Sequence, residues 1–550
     1  MHIKNRPLLK PISFCHPPPS PIGLRRAGLA SYVIPVKTWI QSQVLYLRLD
    51  SGSLPGMTKD NAKNICIKNG FQKKFNIYQH HTPAILSIVL FLIVFCTLGL
   101  PFTQWGFKSD DWGNVYHCII RQWSDFFRFF TEGNIEKFCL PSNVMPPDQA
   151  FFQGLYRPLS FIYYYLQYGI FGTAPYGFLL VTTFFHACNA VLFFNLLKLK
   201  VTRVTAFLAA AYFGFHPSLW IWFGWTSAQT YFVELCVFFL GVYALLAYLR
   251  TESFVFYFLG CVLYTLNLML KEQTIFLPLW LVGAFYIYGK SFWQSIKLST
   301  GFWIITGCYL WWRLQLFPLT AQTGTLTFQP TWHSFITRFS SRFYDAVSYL
   351  NEFLGFSWLP LRHQMIKGFL VTVTLSLLCI LFFRSRHKKY ALFLVCSIPF
   401  FSWPAIIMHF QPRYIYLALP LMIAAVAILI DPPPQWLKFA LGALIAWNAV
   451  FLVHHLTQRE KILHMITTAF EDIVANPITT GKSLCFVDLP SCWFDQGTTQ
   501  AVWLLRHEAH KPVFQVQDTK MSPELAQENP LLITWDKNSC KFRVIADDKK

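Results

Sequence analysis

Four short groups of charged residues interrupt a largely apolar sequence, and each group contains an acid, a base or both. Charged side chains are costly at a membrane boundary, so those kept there are candidates for function. If the folded chain brings acids and bases to one face of an apolar bundle, they indicate an active site. The four groups are Ser109-Asp110-Asp111-Trp112, Tyr156-Arg157-Pro158-Leu159, Lys271-Glu272 and His409-Phe410-Gln411-Pro412-Arg413, and His216 and Glu234 are two further candidates.

The acidic groups also have structural explanations. The Asp110-Asp111 pair is well placed to cap an amphipathic helix over residues 112–130, because Asp accepts hydrogen bonds from the first turn. Lys271-Glu272 has the composition of a solvated turn. For these groups the sequence leaves both interpretations open.

The basic groups have structural explanations as well. Arg157 and Arg413 could anchor helix ends by extending to the lipid headgroups. His216 precedes a proline and is compatible with a packed turn residue. Only a shared position on one side of the membrane strengthens the functional interpretation.

The composition requires many membrane-embedded elements to hold these groups. Of 550 residues, 54% are hydrophobic, 18% are aromatic and only 13% are charged, whereas soluble domains carry about 25% charged residues. The aromatic content excludes a disordered chain. The composition therefore predicts a polytopic membrane protein.

The net charge of +20 does not indicate nucleic-acid binding. Residues 1–80 contain twelve Lys or Arg against two Asp, which gives half of the total excess, and the remaining basic residues lie in short loops between apolar runs. This distribution is typical of cytoplasmic loops. Since no compact basic domain is present, we expect no nucleic-acid partner.

Hydropathy predicts about eleven transmembrane helices of the length that a hydrocarbon core requires. Residues 158–172 are a candidate for a further short or re-entrant element. The predicted spans are 82–101, 177–197, 204–222, 228–249, 254–270, 274–289, 298–317, 368–383, 390–408, 414–430 and 436–455.

The basic loops predict the orientation. With the N-terminus inside, every inward loop is basic, and the outward loops 216–227 and 409–413 contain little charge. The four charged groups then lie together on the outside, as does the C-terminus. The basic residues of the inward loops are Lys198, Lys200, Arg203, Arg250, Lys290, Lys297, Arg384, Arg386, Lys388, Lys389 and Lys438.

The predicted fold class is an all-α polytopic membrane protein with a small extracytoplasmic α/β module at its C-terminus. The transmembrane domain covers residues 81–455 and has two larger outer loops, 102–176 and 318–367. Residues 456–550 form the module, because strand-like runs alternate there with a helical stretch near 498–509. The strand-like runs are SLCFVDL, PVFQVQ, PLLITW and KFRVIA.

Residues 1–80 are predicted to be a basic, proline-containing cytoplasmic tail without fixed structure. An alternative is that translation begins at Met57, which would leave only a short basic lead into the first span.

Cysteine and histidine spacing predicts no metal site. The fourteen Cys are scattered, and no CxxC pair or Cys/His ligand spacing is present. No cofactor is indicated, and a requirement for a divalent metal is left open.

A set of short motifs resembles the GT-C superfamily of membrane glycosyltransferases. The motifs are SDDW, YRPL, HACNAVLFFNLL, FHPSLWIWFGWTSAQ, LKEQTIFLP and PRYIYLALP, and they extend over residues 80–430. The resemblance is to the branch that contains protein O-mannosyltransferases, the lipid A aminoarabinose transferase and tetratricopeptide-bearing mannosyltransferases. Two departures are the missing tetratricopeptide array and an Asp-Asp pair where some members have Asp-Glu.

The resemblance implies a reaction and a base. Such enzymes take a sugar from a polyprenyl-phosphate donor and transfer it to an extracytoplasmic acceptor, here a glycolipid, a polysaccharide or a protein. Asp110 would be the general base, with Asp111 as alternative or partner. A single attack without a covalent intermediate would invert the anomeric carbon.

The same resemblance implies that cations meet the phosphate of the leaving group. The candidates are Arg413, Lys271 and Arg157, because guanidinium and ammonium groups bind phosphate well. The resemblance implies a location in the lipid bilayer, in a bacterial inner membrane with a periplasmic active site. Possible supporting residues are Glu272, His216, Glu234 and His409.

Two other functions stay open. A lipid-linked sugar flippase would have charges buried in mid-helix and repeated halves. An O-antigen polymerase or ligase would have an arginine-rich outer loop, and loop 318–367 contains Arg338, Arg342 and Arg362.

Overall fold

The computed structural model of the chain has two units, Met1–Gln79 and His80–Lys550. The predicted N-terminal tail, most of the predicted loop 318–367 and the candidate His409 lie outside the described residues. The residues that the structure describes are 82–107, 109–120, 122–131, 156–316, 364–402, 412–479, 484–487, 501–502, 505, 513–516, 531–536 and 541–544.

Helices make up most of the described residues. The α-helices are α1 (Thr82–Leu98), α2 (Ser109–His117), α3 (Trp123–Thr131), α4 (Pro158–Phe171), α5 (Pro175–Leu197), α6 (Arg203–Gly214), α7 (Gln229–Thr251), α8 (Phe254–Leu270), α9 (Leu277–Ile287), α10 (Phe292–Leu316), α11 (Gln364–Arg384), α12 (Lys388–Phe401), α13 (Leu419–Ile430) and α14 (Gln435–Ala475). Short 3-10 segments lie at Pro217–Ile221, Thr226–Ala228, Glu272–Thr274 and Pro412–Ile415.

Three helical segments of the described chain are long and apolar enough to cross a membrane by length and composition. They are Pro175–Leu197, Thr226–Thr251 and Gln435–Ala475, and five shorter apolar helices accompany them. The predicted class, helical and membrane-embedded with a small sheet, is confirmed at this level. The number of about eleven spans stays a prediction.

Proline explains why several helices are shorter than the predicted spans. The span predicted over 204–222 ends as a helix at Gly214, because Pro217 has no N–H and restricts the residue before it. The spans predicted over 274–289 and 414–430 begin as helices only at Leu277 and Leu419, each with proline in the first turn.

Two shorter predicted elements also have counterparts in the structure. The further short element predicted at 158–172 is the helix α4. The amphipathic stretch 112–130 forms two helices, α2 and α3, in place of one.

One hydrophobic core joins the helices of the bundle, from Leu90 in α1 to Leu463 in α14. The surface of the bundle is also apolar, as a surface that faces lipid must be. Large side chains that are more than half exposed there include Val255, Phe258, Ile304, Trp311, Leu377 and Phe439.

The bundle has two ends. At the site end lie the first loop with α2 and α3 and the connections 215–228, 271–276 and 412–418. At the opposite end lie the basic connections, where Asp431 accepts hydrogen bonds from the backbone N–H of Thr202 (3.1 Å) and from the hydroxyl of Thr205. This cap joins the end of α13 to the start of α6.

Helix α14 connects the bundle to the C-terminal sheet. Its 41 residues would extend about 60 Å, roughly twice the thickness of a hydrocarbon core. The second half of α14 lies on the first loop, where Thr467 Oγ1 accepts a hydrogen bond from the Phe107 N–H at 3.0 Å. The domain boundary predicted at 455/456 therefore falls inside one continuous helix.

The four strand-like runs predicted in the C-terminal segment all form strands. They are β1 (Leu484–Val487), β2 (Val513–Val516), β3 (Leu531–Asp536) and β4 (Lys541–Val544), in the order β2-β1-β3-β4. The first three are parallel and β4 is antiparallel to β3.

The sheet, α14 and α2 share a second hydrophobic core. Trp112 of α2 is fully buried in it and contacts Phe107 and Phe470, with ring centroids 4.8 and 6.2 Å apart. Phe486 of β1 belongs to the same core. The C-terminal sheet therefore supports the helix that carries the acidic pair.

Candidate active site

The acidic pair begins α2, and one of its members is joined to α7. The Asp111 carboxylate is fully buried and accepts hydrogen bonds from the Ser227 backbone N–H at 2.8 Å and from its hydroxyl at 3.1 Å. Asn114 donates to the same hydroxyl at 2.7 Å. Asp111 thus fixes the turn that starts α7. Asp110 lies in the first turn of α2, and its side chain lies outside what the structure describes.

Arg157 and Glu272 form an ion pair between the start of α4 and the 3-10 segment after α8. Arg157 donates from Nε to Oε2 at 2.9 Å and from Nη2 to Oε1 at 2.7 Å, a bidentate geometry. Burial alone would raise the pKa of Glu272, but the guanidinium of Arg157 holds it well below its usual range. The sequence did not pair these residues, which are 115 positions apart.

The turn that contains Glu272 is buried. Lys271 is 5% exposed, Glu272 is 8% exposed, and Gln273 and Thr274 are not exposed at all. Gln273 donates from Nε2 to the carbonyl oxygens of Tyr414, at 2.7 Å, and of Phe401. The alternative that Lys271-Glu272 is a solvated turn is therefore wrong.

Two cations of the site, Lys271 and Arg413, lie on aromatic rings. Lys271 Nζ is 3.4 Å from the ring centre of Tyr231, and Arg413 Cζ is 4.5 Å from that of Trp225. Within the described part of the chain neither cation has an ion pair, and the buried Nε of Arg413 has no hydrogen-bond partner. The guanidinium of Arg413 stacks on the ring of Trp225, and a role of Arg413 as a headgroup anchor stays a prediction.

The three predicted cations lie within electrostatic range of one another. Burial lowers the pKa of Lys271 well below its ordinary value, and the guanidinium groups of Arg157 and Arg413 lower it further. The structure thus brings together three groups that the sequence places up to 256 positions apart. The ring of Tyr231 contacts Lys271 on one hand and, with centroids 6.2 Å apart, the ring of Tyr414, the residue after Arg413, on the other.

Glu234 adds a second carboxylate to the cation cluster. It lies one turn after Tyr231 on α7, is fully buried, and has no hydrogen-bond partner for either oxygen among the described residues. The charged groups that interact electrostatically with Glu234 are Lys271, Glu272 and Arg157. A buried carboxylate without a partner is costly, which makes it a candidate for a functional role.

His216 belongs to a packed turn. Its Nδ1 is 2.7 Å from the hydroxyl of Ser218, its ring contacts Tyr212 edge-on at 5.3 Å, and it is not exposed. This is the structural role that the sequence left open for it.

Two residues of the site were missed in the sequence. Tyr231 is the ring under Lys271, and its spacing of three from Glu234, on one face of α7, is a signal that could have found it. Arg313 of α10 adds a further positive charge near Glu272, but nothing in its local sequence distinguishes it. Among the described residues, no three His, Cys, Asp or Glu side chains group closely enough to hold a metal ion.

The chain is similar in structure to ArnT from Cupriavidus metallidurans. One structure of ArnT is bound to undecaprenyl phosphate and has a TM-score of 0.43, and the apo structure has a TM-score of 0.45. Each is 12% identical in sequence, covering 83% of this chain and 93% of ArnT. No protein-family model and no curated protein matches the chain.

Proposed function

We propose that this chain is an integral membrane glycosyltransferase of the GT-C type. It takes a sugar from a polyprenyl-phosphate donor and transfers it to an extracytoplasmic glycolipid, polysaccharide or protein. The observation that carries the proposal is the cluster of Arg157, Lys271 and Arg413 at one end of the bundle. Lys271, which is buried, and Arg413, which is partly buried, have no carboxylate ion-pair partner among the described residues, and such a pair of cations can bind an anion.

The anion in this proposal is the phosphate of the donor. Lys271 and Arg413 contact it directly, and Arg157 adds charge from its fixed position on Glu272. As the bond between the anomeric carbon and the phosphate oxygen breaks, negative charge grows on the leaving phosphate. Cations preorganised in a site with little water stabilise that charge strongly.

The base in this proposal is Asp110. It takes the proton of the acceptor hydroxyl while that oxygen attacks the anomeric carbon, and the configuration inverts because no covalent intermediate forms. Such a base contributes roughly 10²–10⁴ in rate. Asp111 has a supporting role, since its bonds to Ser227 hold α2 against the start of α7.

The position of the cations favours a transferase over a flippase. Arg157 directly precedes α4, Lys271 directly follows α8, and Arg413 lies in the 3-10 segment before α13. All three cations therefore lie at helix ends and not in mid-helix. The polymerase or ligase alternative depends on loop 318–367, whose arginines lie outside the described residues. The acceptor distinguishes these alternatives, and so it has to be measured.

The first test is a comparison of intact masses of envelope glycolipids and glycoproteins. A strain that lacks the chain is complemented with wild type or with Asp110→Ala. We expect the deletion to lose one sugar mass that only the wild type restores. If Asp110→Ala restores the sugar mass as well as wild type does, Asp110 is not the base. The preferred interpretation would then be Asp111 as the base, or a transport function.

The second test measures the affinity of the purified chain for undecaprenyl phosphate. Lys271→Ala should weaken binding about tenfold or more, the effect expected for a lost charged hydrogen bond. Lys290→Ala removes the same charge at the opposite end of the bundle and is the matched control. Equal effects of the two substitutions would count against a phosphate site at Lys271.

A further inference from the structure

The segment that carries Arg413 is short and irregular. It begins with the 3-10 helix Pro412–Ile415 and continues through Tyr416 to the start of α13 at Leu419. A single 3-10 turn makes few hydrogen bonds of its own, and the one from the Tyr416 N–H to the Arg413 carbonyl is long, at 3.4 Å. Its orientation must therefore be set by contacts to neighbouring helices.

Tyr416 provides the main contact of this kind. Its side chain is fully buried and its hydroxyl is 2.7 Å from Nδ1 of His186 on α5. Nε2 of His186 is 3.0 Å from the carbonyl oxygen of Gly214 at the end of α6. A carbonyl oxygen only accepts, so the proton of the neutral imidazole is on Nε2, and Nδ1 accepts from the Tyr416 hydroxyl.

Asn189 completes the arrangement one turn after His186. Its Nδ2 donates to the Tyr416 hydroxyl at 3.2 Å and to the carbonyl oxygen of Phe232 on α7 at 2.8 Å. The hydroxyl therefore donates one hydrogen bond and accepts another, which defines its position. His186 and Asn189 of α5 thus bond directly to the Tyr416 hydroxyl, and each is itself fixed by a carbonyl oxygen, at the end of α6 and on α7 respectively.

A second contact holds the segment from the other side. Gln273, in the buried turn after α8, donates to the carbonyl oxygen of Tyr414 at 2.7 Å. Arg413 directly precedes Tyr414 and lies three residues before Tyr416, and its guanidinium stacks on Trp225. The neighbouring Trp222 contacts the ring of Tyr416 edge-on at 5.0 Å, so the ring under Arg413 and the tyrosine behind it belong to one packed unit.

We propose that His186, Asn189 and Tyr416 are positioning residues that hold the Arg413 guanidinium on Trp225 at the phosphate site. They set the affinity for the donor without contacting it. This inference rests on the proposed function, because it takes Arg413 as a ligand of the donor phosphate. It assigns a use to a buried histidine that the reaction itself does not employ.

Tyr416→Phe is the most direct test, because it keeps the ring and removes only the hydroxyl. Tyr243→Phe is the matched control: the Tyr243 hydroxyl donates to the carbonyl oxygen of Leu192 at 3.1 Å and joins α7 to α5, and its side chain is half-buried. Both variants lose a hydrogen bond between two helices and should lose some thermal stability. Only Tyr416→Phe should weaken the binding of undecaprenyl phosphate to the full-length chain in nanodiscs, by about tenfold.

A double substitution shows whether the effect passes through Arg413. In an Arg413→Ala background, Tyr416→Phe should cause no further loss of affinity. Additive losses would overturn the inference, and so would equal affinities of Tyr416→Phe and Tyr243→Phe. If Arg413→Ala itself binds the phosphate as tightly as wild type, the proposed phosphate site at Arg413 fails and the inference fails with it.

His186 offers a second pair of variants in case Tyr416→Phe does not fold. Gln has both an acceptor and a donor in its side chain and can bridge Tyr416 and Gly214, whereas Leu can do neither. We expect His186→Gln to retain most of the affinity for undecaprenyl phosphate and His186→Leu to lose about tenfold. Equal affinities of the two variants would overturn the positioning role.

Discussion

The charge of the site is set by three basic and two acidic side chains, of which Lys271, Glu234 and Glu272 are buried and the two arginines are partly buried. Arg157 and Glu272 neutralise each other through two hydrogen bonds. Lys271 and Arg413 lie on aromatic rings and form no ion pair among the described residues, and Glu234 has no hydrogen-bond partner there. Burial of unpaired charges costs stability, and a ligand that supplies the missing charge recovers it as binding energy. A phosphate at Lys271 and Arg413 would do this.

The depressed pKa of Lys271 predicts how this binding depends on pH. Burial and the charges of Arg157 and Arg413 favour the neutral amine, while Glu234 and Glu272 oppose them. Phosphate binds the ammonium form, so affinity should fall as pH rises through the lowered pKa, before an ordinary lysine would titrate. The measurement is the dissociation constant of undecaprenyl phosphate between pH 6 and pH 10.

Lys271→Arg provides the control for this prediction. An arginine keeps its charge over the whole range, so the decline of affinity at alkaline pH should disappear even if binding is weaker at neutral pH. A wild-type affinity that stays constant to about pH 10 would show that Lys271 is not a ligand of the phosphate.

Glu234→Gln tests the role of the unpartnered carboxylate. The ionised form of Glu234 opposes an anion at Lys271, so we expect a substitution that excludes this form to tighten phosphate binding by up to roughly three- to tenfold. Thermal stability should be unchanged or higher, because a neutral amide costs less to bury. Glu471→Gln, an exposed position on α14, is the matched control. Weaker binding by Glu234→Gln would instead give the carboxylate a direct contact with the donor.

Residue types alone identified the cations but not their partners. Arg157, Lys271 and Arg413 stand out because charged residues are rare in an apolar sequence. The burial of Lys271 and Glu272 could not be predicted, since a Lys-Glu turn has the same sequence whether it is solvated or covered. The residues that cover this turn lie around Arg157 and Tyr414, more than a hundred positions away in the sequence.

Among the secondary-structure elements, α14 has the widest influence on the site. Its second half lies on the first loop, and Gly106 is where the two approach most closely. A Cβ at Gly106 would lie 2.1 Å from the carbonyl oxygen of Leu463. Because α2 follows directly, a change at this contact moves the helix that carries Asp110 and Asp111.

Gly106→Ala should therefore separate α14 from the first loop. We expect a loss of about 1–3 kcal/mol in stability, as overpacked sites show, and a lower transfer rate because α2 shifts. Gly442→Ala, on α14 itself, meets nothing within 4 Å and should be neutral or slightly stabilising. Thermal unfolding in detergent compares the two. Similar melting temperatures would mean that the loop and α14 adjust freely.

The elements of the C-terminal segment were predictable, but their connection to the bundle was not. Short β-rich runs separated by polar residues identify all four strands. Hydropathy ends the last span near residue 455, because HHLTQREK is polar. The helix nevertheless continues to Ala475, since good helix formers do not need to be apolar and one face of this half is buried against Trp112 and the sheet.

At the scale of the whole molecule, the two ends of the bundle differ in how their charged residues are exposed. The site end has Lys271 buried, Arg157 and Arg413 partly buried, and the carboxylates of Glu234 and Glu272 among them. The opposite end has exposed basic residues, including Arg203, Arg250 and Arg386. Exposed basic loops face the cytoplasm in membrane proteins, so the site end should face outward, where polyprenyl-phosphate donors serve extracytoplasmic acceptors.

This orientation is tested by cysteine labelling in intact cells. Ser124→Cys, an exposed position on α3, reports on the site end, and Arg386→Cys, in the turn between α11 and α12, reports on the opposite end. A membrane-impermeant maleimide should label Ser124→Cys above the wild-type level before permeabilisation, and Arg386→Cys only after it. The reverse pattern would place the site in the cytoplasm, where nucleotide sugars are available, and would remove the reason for a lipid-linked donor. Labelling of both positions after permeabilisation is the control, because it shows that each cysteine is accessible.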